Sequence, residues 1–90
     1  MSIVTNAFIF EDRDGQKKLF AEVVDDNRYE KGHHIITSSI ISLLNNKIMT
    51  KSGTEYIIEK FFNKDDFIDY LQNGCSKEDA EKYLFYTNLI

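Results

Sequence analysis

The chain contains no proline and only one cysteine. Without proline, every internal backbone N–H is free to donate, which suits a sheet with tight Gly and Asn turns. With Cys75 alone, no intramolecular disulfide can form and no cysteine cluster can hold a metal. No apolar run approaches the length that spans a bilayer. The opening Met-Ser-Ile-Val-Thr-Asn lacks the basic stretch and apolar core of a secretory leader. A cytoplasmic, membrane-independent protein is therefore the expectation. There is no glycine-rich phosphate loop and no paired-ligand spacing of a zinc site. One absence is local. From Lys31 to Thr54 there is no carboxylate, although the chain carries 15 acids against 11 Lys and Arg and a formal charge of −4.

What is present fits one small α+β domain over residues 1–90. Hydrophobic residues make up 42% of the chain, with seven Phe and five Tyr, enough for one modest core. Ile3 to Phe10 alternates as a strand, with Phe8 and Phe10 opposite Ala7 and Ile9. Asp12-Arg13-Asp14-Gly15 supplies a turn. Lys18 to Val24 returns with Leu19, Ala21 and Val23 on one face and Phe20 and Val24 on the other. A polar loop follows to Gly32. His34 to Leu44 carries Ile or Leu on both faces, which suits a strand buried on each side or one that bends midway, with Thr37-Ser38-Ser39 as the expected bend. Asn45-Asn46 and Ser52-Gly53 are turns, flanking strands at Lys47–Thr50 and Thr54–Glu59.

The period then changes. Asn63 is the expected N-cap of a helix from Lys64 to about Gln72, with Phe62 against Phe67 as a hydrophobic staple. Asn73-Gly74 should end it with a left-handed glycine. Ser76 caps a second helix whose Ala80, Tyr83, Leu84 and Thr87 form one stripe. Strands before helices predict an antiparallel meander of about five strands, followed by two C-terminal helices packed on one side. Whether the sheet stays open or curls into a small barrel is left undecided at this point.

Catalytic chemistry has little to stand on. Adjacent His33 and His34 point to opposite faces of a strand, and Cys75 precedes a helix whose N-terminus can lower a thiol pKa. Neither belongs to a recognisable nucleophile–base constellation. No catalytic, cofactor-binding or metal residues are assigned, and the chain is expected not to be an enzyme. Charge points instead to contact. Asp12, Asp14, Asp25, Asp26, Glu30, Asp65, Asp66 and Asp69 offer acids to a protein with a basic surface, with possible imitation of nucleic-acid phosphates. Lys47 and Lys51, with Tyr29 and Tyr56 flanking, offer a hydrogen-bonding and aromatic face on the acid-free segment. The alternative is a small nucleic-acid-binding or regulatory domain using that segment, although a pI near 5.0 argues against phosphate neutralisation.

The pattern Gly32-x-x-Ile35-x-Thr37-Ser38-x-Ile40, then Thr50-x-Ser52-Gly53-Thr54-x-Tyr56, is similar to a β-meander recurring in small bacterial and phage proteins. The whole profile (short, acidic, α+β, without a cofactor motif) resembles phage-borne inhibitors of host defence of the anti-CRISPR type. That resemblance implies a non-enzymatic inhibitor that blocks a defence nucleoprotein machine by protein–protein contact in the host cytoplasm. It implies no catalytic residues, no cofactor and no membrane partner, and leaves the oligomeric state open, a homodimer included.

Overall fold

The computed structural model describes residues 2–87, and Met1 and residues 88–90 of the expected domain lie outside that range. The fold is α+β. Six strands, β1 (Ser2–Glu11), β2 (Lys17–Asp25), β3 (His34–Ile36), β4 (Ile40–Leu44), β5 (Lys47–Thr50) and β6 (Glu55–Ile58), precede α1 (Lys64–Asp69), a π-helical turn (Tyr70–Gly74) and α2 (Lys77–Thr87). The sheet order is β3-β2-β1-β6-β5-β4.

Two expectations are corrected together. The sheet is mixed rather than an antiparallel meander, because β1 and β6 pair in parallel through Ser2–Val4 and Tyr56–Ile58. The expected bent strand becomes two, β3 and β4, which stand at opposite edges of the sheet. A single cause explains both. Thr37 still bonds β2, donating its N–H to the Leu19 carbonyl at 2.9 Å, and the Ser39 carbonyl accepts from Lys51 of the β5 side at 2.8 Å. One bent pass thus lies along both edges. From Ile36 to Ile40 a fully extended chain reaches at most about 14 Å. Six flat strands would put their edges about 24 Å apart. The sheet must curl until its edges approach, giving a small barrel. Because β3 and β4 form one pass, the chain makes an odd number of passes around it. First and last therefore run the same way, and closure makes their pairing parallel.

The barrel interior is filled by Val4, Ala7, Leu19, Ala21, Val23, Ile35, Ile48, Tyr56 and Ile58. The alternation expected for β2 holds, with Leu19, Ala21 and Val23 inward and Phe20 outward. In β1 both Val4 and Ala7 face inward, a spacing of three that a regular strand forbids. A bulge absorbs the extra residue: the register shifts between Thr5 and Phe8, and Asn6 takes φ +50°.

The helices cover the outer face of β1 and β2. Phe10, Phe20 and Phe67 are buried there, with Phe8, Ile36, Phe62, Tyr70, Leu71 and Tyr83 packed against them. Asn63 caps α1 as expected, its side chain accepting from the Asp66 N–H at 2.8 Å. Ser76 caps α2, accepting from the Asp79 N–H at 3.2 Å and donating to its carboxylate at 2.9 Å. The end of the first helix differs from expectation. The backbone widens into the π-helical turn, closed by the Cys75 N–H on the Tyr70 carbonyl at 3.0 Å. Gly74 is not in the left-handed region. It is required for space, since a Cβ there would sit 2.4 Å from Cδ1 of Tyr70.

Candidate binding surface

Closure of the barrel uses much of the polar chemistry in the acid-free segment. Thr37 accepts from the Leu19 N–H through its hydroxyl at 3.1 Å. Ser38 donates to Ser52 at 3.1 Å, and Thr50 donates to the Thr54 carbonyl at 3.1 Å. The Ser38–Ser52 bond stitches the bend to the β5–β6 turn, Thr37 ties the bend to β2, and Thr50 closes the turn on itself. Tyr56, expected at the surface, lies in the barrel interior with 4% exposure, and its hydroxyl accepts from Arg28 at 3.2 Å. Alternation explains the burial: Tyr56 shares its inward phase with Ile58.

What remains exposed is the far end of the β4–β5 hairpin. Ile41, Leu43 and Leu44 are 65%, 51% and 72% exposed. Exposure of successive residues means that both faces of β4 meet solvent. A register irregularity between Ile40 and Ser42 marks where the strand leaves the barrel. Beyond it, Ile48 of β5 is fully buried, so one strand of the hairpin anchors while the other projects. Lys47, paired with Leu44, is exposed at this end, Lys51 is exposed at the root of the hairpin, and Asn45 holds the tip with φ +55°.

The acids do not assemble into one surface. Asp12 is buried in the β1–β2 turn, where its Oδ1 accepts from the N–H groups of Asp14 and Gln16 at 2.9 and 2.8 Å. Its Oδ2 pairs with Lys18 at 3.0 Å. The Gln16 bond leads in holding this carboxyl below its ordinary value. Asp26 is engaged by Arg28 at 3.0 Å and by the Ser2 hydroxyl. The Arg28 hydrogen bond leads in pushing its carboxyl far down. Asp14, Asp25, Glu30, Asp65, Asp66 and Asp69 are exposed. They fall at three places: the β1–β2 turn, the end of β2 with the loop after it, and α1. The first two lie at opposite ends of β2, whose nine residues span about 30 Å. Tyr29 is exposed and stacks on His33 at 5.2 Å, with the Arg28 guanidinium 5.2 Å from its ring.

A polar cluster missed by the sequence reading lies between barrel and helices. His34 and Glu22 are cross-strand neighbours on β3 and β2. Tyr70 donates its hydroxyl to Glu22 at 2.9 Å and also meets Nε2 of His34. His34 Nδ1 faces the Asp79 carboxylate at 3.1 Å, and its ring stacks on Phe20 at 5.6 Å. No spacing in the chain announces this set, because its members come from four elements. Its electrostatics are those of a latch. Burial and the bond to Glu22 push the Tyr70 phenol well above its ordinary value. Burial and the Asp79 charge raise the Cys75 thiol, reversing the lowering expected from a helix N-terminus. Both groups with nucleophilic potential are thus biased toward their protonated forms.

Among the described residues no three His, Cys, Asp or Glu side chains form a metal-ligand set. No described helix is long and apolar enough to cross a membrane. No protein-family model, curated protein or solved structure matches the chain.

Proposed function

We propose that the protein is a non-enzymatic binding protein that acts by protein–protein contact through its β4–β5 hairpin. The observation that carries this reading is the exposure of Ile41, Leu43 and Leu44 together on one strand at a sheet edge. Scattered single aliphatics are normal on a surface, whereas a cluster that costs solvation marks a contact site. Lys47 beside Leu44 and Lys51 at the hairpin root, with no acid between Lys31 and Thr54, favour a partner that brings carboxylates to the rim. The exposed acids elsewhere form separate secondary contacts for basic groups. An inhibitor occupying a host defence nucleoprotein machine is the particular form of this reading that the sequence profile favours.

The test is affinity capture from host lysate with quantitative mass spectrometry, comparing the wild type with an Ile41→Asn/Leu44→Asn double variant. A stoichiometric protein recovered by the wild type and lost by the variant supports the reading. Recovery of no stoichiometric partner, or equal recovery by both, refutes it. Salt-dependent binding of short DNA or RNA, abolished by Lys47→Glu with Lys51→Glu, would replace it with the nucleic-acid reading.

A further inference from the structure

The free edge of β4 is the second feature of the same hairpin, and it is distinct from the side-chain faces. Among the described residues β4 is terminal in the sheet order and is hydrogen-bonded as a strand to β5 alone. An open edge presents unpaired N–H and C=O groups, and proteins guard such edges with charges, prolines or a cover. The other terminal strand is guarded: β3 is only three residues long, and its His34 is tied to Asp79 of α2. β4 has no such guard beyond its irregular root. Its sequence Ile40-Ile41-Ser42-Leu43-Leu44 contains no charged residue.

That sequence reads apolar, apolar, polar, apolar, apolar in either direction. An antiparallel pairing of β4 with a second β4 about a two-fold axis near Ser42 sets Ile41 beside the other copy's Leu43, and Leu43 beside its Ile41. Self-complementarity of this kind is what a two-fold interface demands. Charge favours the same place. Two copies of a chain with formal charge −4 repel one another, and the acid-free hairpin is the stretch where no carboxylates are brought together. We infer that the β4 edge is a homodimer interface, in which two barrels join by antiparallel β4–β4 pairing into one continuous sheet. This inference rests on the hairpin being a contact surface, and it names the first occupant. Strand pairing uses backbone groups and leaves side chains on the sheet faces. The dimer therefore sets Ile41 and Leu43 of both copies side by side as one apolar platform for the external partner.

The experiment is sedimentation equilibrium on the full chain, up to roughly 200 µM, a range that reports micromolar dissociation constants. Leu43 is exposed, so Leu43→Lys and Leu43→Glu leave the monomer folded, as matched circular dichroism will verify. Near the axis each variant places like charges across the new pair, either directly opposite or on the diagonal about 7–8 Å apart. Each alone is expected to weaken self-association by at least about tenfold, and an equimolar mixture of the two to restore a mixed dimer. A wild type that stays monomeric over this range overturns the inference. So does a dimer that both variants form as readily as the wild type, since its interface must then lie elsewhere. A monomer that still captures a partner through Ile41 and Leu44 refutes the dimer alone. A dimer that captures nothing refutes the proposed function alone.

Discussion

Replacing Phe67 by alanine tests the claim that one ring holds the helical layer to the barrel. Phe67 is 1% exposed. It stacks on Phe8 at 4.2 Å between centroids and 10° between planes, and meets Tyr83 edge-on at 4.9 Å and Phe20 at 5.5 Å. Truncating a buried Phe to Ala costs about 3–5 kcal/mol. Each favourable ring pair contributes about 0.5–1.5 kcal/mol beyond area burial, which favours the upper part of that range. One feature pulls the other way. Phe67 also lines an apolar cleft of about 360 Å³ with Phe8, Ile68, Leu71 and Tyr83, so its neighbours have room to relax into the space it leaves. A loss of about 4 kcal/mol is expected. A domain of this length has a total stability of about 5–13 kcal/mol, so Phe67→Ala removes a large share of it. In urea unfolding followed by far- and near-ultraviolet circular dichroism, an m-value of about 1.5 kcal/mol/M turns this loss into a midpoint drop of about 2.7 M. Phe67→Leu keeps most of the volume and loses the ring geometry, and should cost about 1–2 kcal/mol. A Phe67→Ala loss below about 2 kcal/mol, or equal losses for the two variants, would refute the packing argument.

Three further outcomes follow from the geometry. Asp12 and Asp26 both have folded-state pKa values below the ordinary 3.8, through hydrogen bonds from Gln16 and Arg28 respectively. The stability they contribute is complete above the unfolded value and fades as pH falls below it. The melting temperature should therefore drop between about pH 5 and about pH 2, and less steeply in Asp26→Asn; parallel wild-type and variant profiles would contradict this. Gly53 has φ +91° and open space around its Cα, so Gly53→Ala should cost about 1 kcal/mol or slightly more through backbone strain alone, read by urea unfolding. Cys75 should react with iodoacetamide at neutral pH more slowly than free cysteine, because burial and Asp79 raise its pKa. Asp79→Asn should speed the reaction, and an unchanged rate would show that the Asp79 charge does not act on the thiol.

Local pattern made much of the fold legible. Alternation in Leu19–Val23 identified the inward face of β2, and the positive φ of Gly15, Asn45 and Gly53 lies at the expected turns. The Asn63 and Ser76 caps stand where side-chain chemistry put them. These features depend on residues close in sequence. The bulge at Asn6 was hidden because the alternating pattern continues on both sides of it, with one residue left over. The His34–Tyr70–Glu22–Asp79 cluster was hidden because its members are brought together only by packing helices on the barrel.

The acid-free segment shows where the boundary lies. The sequence by itself established that Lys31–Thr54 lacks carboxylates, and its residues pointed to turns at Asn45-Asn46 and Ser52-Gly53 and to a bend at Thr37-Ser38-Ser39 as one of two readings. Only the tertiary structure decided which of its side chains face solvent. Curling the sheet drew Thr37 into a hydrogen bond with β2, Ser38 and Ser52 into one across the closure, and Tyr56 into the core. It left Ile41, Leu43 and Leu44 outside. The pattern of apolar residues specifies that a strand forms. Burial of a given residue depends on which strands lie beside it, and a closed sheet sets that through pairings between residues far apart in the chain.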